Sequence, residues 1–355
     1  MLGISIYLNE PLSEEQKDYI HIMSILGCKS IFTSLHIPED DPSHYASRLK
    51  ELASLAKKYN MELFADISPK SLTYLGVTWN DAEKLKEWGL TGLRVDYGVS
   101  DVIIANLSKK MKIALNASTI TEENIYRLKE HGFVPSSVEA WHNFYPRPET
   151  GLDTEEFYQR NEWLKSEGLT VMAFIPGDGR SRGPLFEGLP TIEDHRSIST
   201  FAAYLDFYFH PLVDKIFIGD PTISESSAKQ LEYFMKETIY LRAIRFTDDQ
   251  KLINRLKNVQ TNRADAARDV IRSAESRLYG LIGDFPVKPY NTINRSVGSI
   301  TVDNCLYGRY QGEIQITKRS LKADPKVNVI GQVVHEDLPL LNHIRGGTKF
   351  IIEWN

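Results

Sequence analysis

The strongest constraint on this fold is a regular alternation of short apolar runs with amphipathic helical stretches over residues 1–237. Near-continuous apolar runs are typical of parallel strands that are covered on both faces. Eight such units predict an eightfold β/α barrel (TIM barrel) of the α/β class, with its active site at the carboxyl-terminal rim. A doubly wound open sheet would fit six units better and remains the alternative. The runs are LGISIYL, SIFTSLH, ELFADIS, GLRVDYG, KIALNAS, SVEAWHNFY, TVMAFIPG and KIFIGDP.

The chain is longer than one barrel requires. Because a lone barrel takes about 250 residues, we assign residues 1–237 to the barrel and residues 238–355 to a second domain. From Thr238 onward the pattern changes to strand-like segments, with one predicted helix from Ala264 to Arg277. This part is expected to form a compact, β-rich domain with mostly antiparallel strands.

Charge and composition argue against several classes of protein. The net charge is −5 with acids and bases interspersed, so no basic stripe is present to bind nucleic acid. The sequence has neither a long apolar run nor a charged leader followed by an apolar core, so we expect a soluble, unexported chain without a membrane partner. Two cysteines, Cys28 and Cys305, are too few for a disulfide framework and indicate a reducing compartment. The sequence does not disclose the oligomeric state.

Polar residues collect where the predicted barrel strands end. The last inward residue of each strand points into the site of such a barrel. Buried charges are costly unless they are paired, so acids and an arginine at these positions favour a functional site. The residues placed in this way are Asp66, Arg94, Asp96, Asn116 and Asp220.

The sixth strand offers two alternative faces. Glu139, Trp141, Asn143 and Tyr145 share one face, whereas His142 lies on the other. The strand register decides which set points inward. Trp141, Phe144 and Tyr145 are candidates for a sugar-stacking wall, with ordinary packing as the alternative. Asn143 is a candidate substrate-binding residue.

Two carboxylates across a cleft are what glycosidic cleavage requires, one protonated to donate to the leaving oxygen and one ionised. Asp66 and Asp96 are the lead pair, with Glu139 and Asp220 in reserve. The nearby Arg94 suggests that Asp96 is the ionised member and Asp66 the acid, although the reverse assignment stays open. A purely structural ion pair is the alternative for any one of these residues. Retaining, inverting and acetamido-assisted mechanisms also remain open.

The longest interruption of the barrel follows the seventh strand, from Gly177 to Ser197. Loops of this length often bind ligands. Arg180 and Arg182 lie in its glycine-rich part, a combination that suits the binding of an anion. Because phosphate sites in these barrels tend to form after strands seven and eight, the loop predicts a phosphorylated ligand. A solvated loop with two surface arginines is the alternative.

Neither a metal ion nor another cofactor is predicted. The nine histidines are scattered, without the spacing of a metal site. A pyridoxal phosphate enzyme would need a lysine at the carboxyl end of a strand. Lys112 and Lys215 instead begin their strands.

Long motifs run through both predicted domains: GISIYLNE, SIFTSLHIPED, ELFADISPKSLTYLG, LRVDYG, LNAST, EAWHNFYPRPETGL, IGDP, TVDNCLYGRYQGEIQI and KVNVIGQV. Together they resemble the 6-phospho-N-acetylmuramidase family. The resemblance implies hydrolysis of the β-1,4 bond between N-acetylmuramic acid 6-phosphate and N-acetylglucosamine, during cytoplasmic recycling of cell-wall peptidoglycan. It also implies a cyclophilin-like fold for the second domain.

Residues of the second domain also fall within the matched motifs. Asn304, Tyr307, Arg309 and Asn328 are candidates for binding substrate at a cleft between domains. Their alternative role is to cap strands and pack the β-rich domain. For the chain as a whole, the rival functions are a non-catalytic sugar-phosphate sensor and a phosphosugar isomerase or lyase.

Overall fold

A computed structural model of the protein describes residues 1–35, 44–95, 98–277 and 286–354. The chain divides into two compact units, Met1–Ser224 and Glu225–Asn355. The domain boundary expected after residue 237 stays a prediction.

The first unit is a closed barrel of eight parallel strands in sequential order, which confirms the predicted TIM barrel. Each strand is hydrogen-bonded to the next along the chain, and β8 closes the barrel on β1. The strands are β1 (Leu2–Ser5), β2 (Ser30–Ser34), β3 (Glu62–Ile67), β4 (Gly92–Val95), β5 (Lys112–Asn116), β6 (Val138–Trp141), β7 (Thr170–Ile175) and β8 (Lys215–Ile218).

Helices alternate with these strands, and several begin where the sequence provides a capping side chain. Ser13 accepts a hydrogen bond from the Gln16 amide at 3.2 Å, and Asp153 caps its helix in the same way. Such caps satisfy amides that have no partner within the helix. The helices of this unit are α1 (Glu14–Ile25), α2 (Tyr45–Lys58), α3 (Pro69–Leu75), α4 (Asp101–Ser108), α5 (Glu122–Glu130), α6 (Thr154–Ser166) and α7 (Thr200–Tyr208).

Aromatic side chains fill the middle of the barrel. The Trp141 ring lies 4.6 Å from the Phe64 ring and 5.0 Å from the Phe217 ring, measured between centroids. Two strand glycines make room for them, because a Cβ at Gly3 or Gly92 would lie 2.5 or 2.3 Å from a phenylalanine ring. The interior is therefore a packed core and not a pore.

Buried ion pairs lie at the amino-terminal end of the barrel. Lys215 and Glu62 begin their strands, and the Lys215 ammonium lies 2.7 Å from Glu62 and 2.8 Å from Glu139. The Lys112 ammonium pairs with Glu62 and lies 3.6 Å from Glu139. The side chains of Lys215 and Glu139 are only 5% and 3% exposed, so these contacts compensate buried charges. We refer to these four residues as the floor cluster.

The second unit holds a seven-stranded mixed sheet in the order β10-β15-β9-β14-β12-β13-β11. Among the described strands of this unit, only β9 and β15 pair in parallel, which confirms the predicted mostly antiparallel arrangement. The cyclophilin-like fold stays a prediction. The elements are α8 (Glu225–Phe234), β9 (Thr238–Arg245), α9 (Gln250–Leu256), β10 (Gln260–Thr261), β11 (Val270–Arg272), β12 (Ser299–Asp303), β13 (Ile314–Thr317), β14 (Val327–Val333) and β15 (Lys349–Trp354).

The helix predicted from Ala264 to Arg277 is wrong over most of its range, since only residues 274–277 are helical. Strand β11 lies inside this range, and its Ile271 is fully buried opposite Ile316 of β13. The β-branched Val270 and Ile271 suit a strand that pairs with a sheet edge. In the parts of the chain that the structure describes, no helix combines the length and the apolar character needed to cross a membrane.

We expect Lys215→Met to destabilise the protein by about 3 kcal/mol, because it leaves buried carboxylates of the floor cluster short of a partner. Urea unfolding followed by tryptophan fluorescence measures this loss. The matched control is Lys84→Met, since the pair between Lys84 and Asp81 is largely exposed and should contribute little to stability. Equal stability of the two variants would show that the floor cluster is not a stabilising element.

Candidate active site

Neighbouring strands bring an acid and an arginine together at the carboxyl-terminal rim. Asp66 of β3 is opposite Arg94 of β4 in the strand register, and an Arg94 Nη1 atom lies 3.1 Å from Asp66 Oδ1. On the other side, Ser34 of β2 is opposite Asp66 and its hydroxyl lies 3.4 Å from Oδ2. The two charged side chains are only 14% and 7% exposed. Parallel pairing therefore holds this carboxylate in a defined position.

Arg94 also links this acid to the segment that follows β6. Its Nη2 donates a hydrogen bond to the side-chain oxygen of Asn143, so one guanidinium connects Asp66 with Asn143. An adjacent cation favours the ionised form of a carboxyl group. The structure thus places the arginine against Asp66. Asp96, the other member of the lead pair, lies outside the described residues.

The sixth strand points Glu139, Trp141 and Asn143 inward. His142 points outward, where its Nε2 lies 2.7 Å from the Asn161 oxygen and burial lowers its pKa to about 4. Two expectations about the inward residues need correction. Glu139 belongs to the floor cluster at the opposite end of the barrel, where its lysine partners compensate it, so it is not a reserve carboxylate of the rim. Trp141 is fully buried in the aromatic core, so it is not a sugar-stacking residue.

Two further expected residues, Asn116 and Tyr145, both contact Ser118 at the rim. The side-chain oxygen of Asn116, at the end of β5, accepts a hydrogen bond from the Ser118 amide at 2.9 Å. The Tyr145 hydroxyl lies 3.5 Å from the Ser118 hydroxyl. Between Asn143 and Tyr145, the half-buried Phe144 packs edge-on against Phe174 of β7. The residues after β6 therefore still offer Phe144 and Tyr145 for the predicted aromatic wall, although Trp141 is buried.

Asp220, which follows β8, organises the loop after β7. Its carboxylate accepts hydrogen bonds from the amides of Gly177 at 3.0 Å, Arg182 at 3.1 Å and Leu189 at 2.9 Å. Burial raises the pKa of this carboxyl group, while the three amides and the Arg182 charge oppose that shift. The structure thus gives Asp220 the position of a loop anchor, and its role as a reserve catalytic residue stays a prediction.

A cleft of about 640 Å³ opens between the loop after β1, the start of α1 and the loop after β7. Its lining combines arginine guanidinium groups with aromatic and proline side chains, as expected for a small-molecule site with a few polar contacts. Members of this lining include Tyr7, Asn9, Pro11, Gln16, Arg180, Arg182, Pro184, Phe186 and Pro221.

The two arginines of this cleft are available to an anion. The Arg182 guanidinium lies 4.1 Å above the Tyr7 ring, whose hydroxyl donates to the Gly219 carbonyl at 2.6 Å. Burial raises the pKa of Tyr7 to about 12, so the phenol remains neutral beneath the cation. Among the described residues, no carboxylate lies within ion-pair distance of the Arg180 or Arg182 guanidinium. A bound phosphate would supply the missing counter-charge.

An ion pair that the sequence analysis did not identify fixes two rim loops to each other. Glu193 binds the Arg196 guanidinium at 2.6 Å and accepts hydrogen bonds from the amides of Glu149 and Gly151. These contacts, chiefly the one with Arg196, lower the pKa of Glu193 to about 2. Arg196 also donates to the Tyr145 carbonyl at 2.9 Å. In the sequence, the signal for this ion pair was an acid three residues before an arginine. That spacing is common on protein surfaces and does not single out a functional pair.

In the second unit, two of the expected binding residues are structural. The Asn304 amide nitrogen donates to the Asn328 oxygen at 2.9 Å, and both side chains are completely buried. Arg309 is exposed and donates to the Tyr310 hydroxyl at 2.9 Å. A substrate-binding role for Arg309 stays a prediction. In the described ranges, no three His, Cys, Asp or Glu side chains are grouped as metal ligands would be.

We expect Glu193→Gln to lower the melting temperature by about 3 °C at pH 7, because the rim loops lose a charged contact. The folded pKa of this acid is depressed, so its stabilising contribution is complete above its ordinary pKa and disappears as the pH falls toward about 2. The difference from the native protein should therefore shrink between pH 7 and pH 3.5. Glu232→Gln, which alters an exposed helical pair, is the control. A pH-independent difference would contradict this account.

Comparison with known proteins identifies the same family in both halves of the sequence. The amino-terminal model of the 6-phospho-N-acetylmuramidase family matches residues 2–233, and the carboxyl-terminal model of that family matches residues 241–353. The protein is 42% identical to a conserved Enterococcus faecalis protein of unknown function, with 100% of this chain and 96% of that chain covered and a TM-score of 0.92. An uncharacterised B. cereus protein is 26% identical, with 99% of each chain covered and a TM-score of 0.73. No curated protein matches. Because the two models together span nearly the whole sequence, the protein belongs to the 6-phospho-N-acetylmuramidase family.

Proposed function

We propose that the protein hydrolyses the β-1,4 bond between N-acetylmuramic acid 6-phosphate and N-acetylglucosamine. The observation that carries this proposal is that contacts from Asp66 and from Arg182 reach two consecutive residues of the rim. Arg94 connects Asp66 with Asn143, and the Arg182 guanidinium lies 5.7 Å from the ring of the next residue, Phe144. A carboxylate and a cation that approach the same short segment suit a sugar that carries a phosphate.

Asp66 is the ionised carboxylate in this proposal, because Arg94 stabilises its negative charge. It would stabilise or attack the sugar cation, or activate water, as the bond to the leaving oxygen breaks. Asp96 would be the acid that protonates the leaving oxygen. This assignment reverses the one that the sequence alone favoured.

Arg182 and Arg180 bind the 6-phosphate in the same proposal. A guanidinium presents paired N–H donors that match two phosphate oxygens. Their loop follows β7, the region where phosphate sites of these barrels are commonly found. The reaction needs no metal ion in this scheme, and it serves the cytoplasmic recycling of peptidoglycan fragments that the family resemblance implies.

We expect the native protein to cleave the 6-phosphorylated disaccharide in the presence of a chelator and to leave the unphosphorylated one largely intact. Chromatography of the released N-acetylglucosamine measures both reactions. Arg182→Met should reduce the preference for the phosphorylated substrate by about tenfold or more, since a charged hydrogen bond is lost. Arg268→Met, at an exposed arginine of the second unit, is the control.

Tight binding of the phosphodisaccharide without cleavage would instead identify a sensor. Conversion without release of a second sugar would identify an isomerase or lyase.

Asp66→Asn should lower kcat by about 10²-fold to 10⁴-fold while the protein remains folded. The amide is nearly isosteric with the carboxylate but cannot carry its charge. Circular dichroism tests whether the variant is folded, and steady-state kinetics measure its kcat. Asp248→Asn changes a fully exposed carboxylate and should leave kcat unchanged. Turnover of Asp66→Asn close to that of the native protein would remove Asp66 from the mechanism.

A further inference from the structure

Phe186 has an aromatic ring that the packing of the protein leaves uncovered. Its side chain is 65% exposed, the highest value for a large apolar residue in the described part of the chain. It lines the same 640 Å³ cleft as Arg182. The preceding residue, Leu185, is 46% exposed but is not part of that lining.

The backbone of Phe186 is held in an unfavourable conformation. Its φ is +60°, in the left-handed region that aromatic residues rarely occupy. Such strain persists only where the surrounding structure determines it, and it is concentrated at functional sites. A glycine or asparagine would adopt this conformation more easily. Stability of the loop therefore does not explain a phenylalanine at this position.

Local contacts connect Phe186 to the backbone of the arginine. The Phe186 amide donates to the Arg182 carbonyl at 3.2 Å, which closes the turn between them. The ring covers the backbone of Gly183, where a Cβ would come within 3.1 Å of its Cζ atom. The turn thus fixes the ring relative to the backbone that carries Arg182.

The loop on either side of this turn is also fixed. Asp220 holds the Arg182 amide at 3.1 Å, and the Arg196 guanidinium donates to the Glu187 carbonyl at 3.0 Å. Phe186 is therefore exposed on an anchored segment. A rigid aromatic ring facing a cleft offers contact area at little cost in conformational entropy.

We propose that Phe186 is a substrate-binding residue whose ring packs against the apolar face of the sugar that carries the phosphate. This inference rests on the proposed function, in which Arg182 binds that phosphate. A pyranose presents a flat C–H surface, and a phosphate at C6 would lie beside the same ring. Phe186 thus replaces the buried Trp141 as the sugar-stacking residue, and it selects a phosphosugar over a phosphate without a ring.

Calorimetric titration with N-acetylmuramic acid 6-phosphate and with inorganic phosphate tests the inference without requiring turnover. Phe186→Asn should weaken binding of the sugar phosphate about tenfold and leave binding of inorganic phosphate unchanged. Its melting temperature should be unchanged or higher, because asparagine tolerates a positive φ. Phe186→Trp should retain native affinity. Leu185→Ala is the matched control and should bind both ligands normally.

Native affinity of Phe186→Asn for the sugar phosphate would overturn the inference. An equal loss of both ligands would also overturn it, since the ring would then act only by positioning the loop. Failure of the native protein to bind the sugar phosphate would have the same consequence. By contrast, native binding without cleavage of the disaccharide would contradict the proposed function and not the role of Phe186.

Discussion

The aromatic core of the barrel is the constraint on which the positions of the other groups depend. A closed eight-stranded barrel has an interior that side chains must fill. Here the rings of Trp141, Phe64 and Phe217 fill it, with Gly3 and Gly92 opposite two of them. This layer separates the floor cluster from the rim. Ion pairs below it compensate buried charges, while Asp66, Arg94 and Asn143 lie above it at the rim.

Strand β6 and the residue two positions beyond Trp141 show this layering directly. Glu139 lies among lysines at the floor, Trp141 lies in the core, and Asn143 meets Arg94 at the rim. All three point inward, as the alternation of a strand requires. Sequence periodicity predicts which face a residue occupies. It does not predict the height of the residue along the barrel axis, which depends on the stagger between strands. For this reason Glu139 and Trp141 were expected at the site and are not there.

The sequence predicted the parts of the protein that local patterns determine. The eight strands follow from apolar runs, and the proximity of Asp66 and Arg94 follows from their positions near adjacent strand ends. Contacts between distant residues were not predictable. Asp220 reaches amides 31 to 43 residues earlier in the chain, and Arg196 reaches Tyr145. Strand β11 around Ile271 depends in the same way on pairing with β13, which lies farther along the chain.

These distant contacts hold the long loop in the form that the proposed anion site requires. An ordinary surface arginine samples many rotamers, and ordering it upon binding reduces affinity. Asp220 fixes the Arg182 backbone, and the neutral Tyr7 ring supports its guanidinium. The loop thus holds positive charge at the rim before a ligand arrives. Among the described residues, Arg182 has no carboxylate partner and Phe186 is strained and exposed. Neither arrangement adds much to the stability of the free protein, which is the reason to propose a ligand at this position.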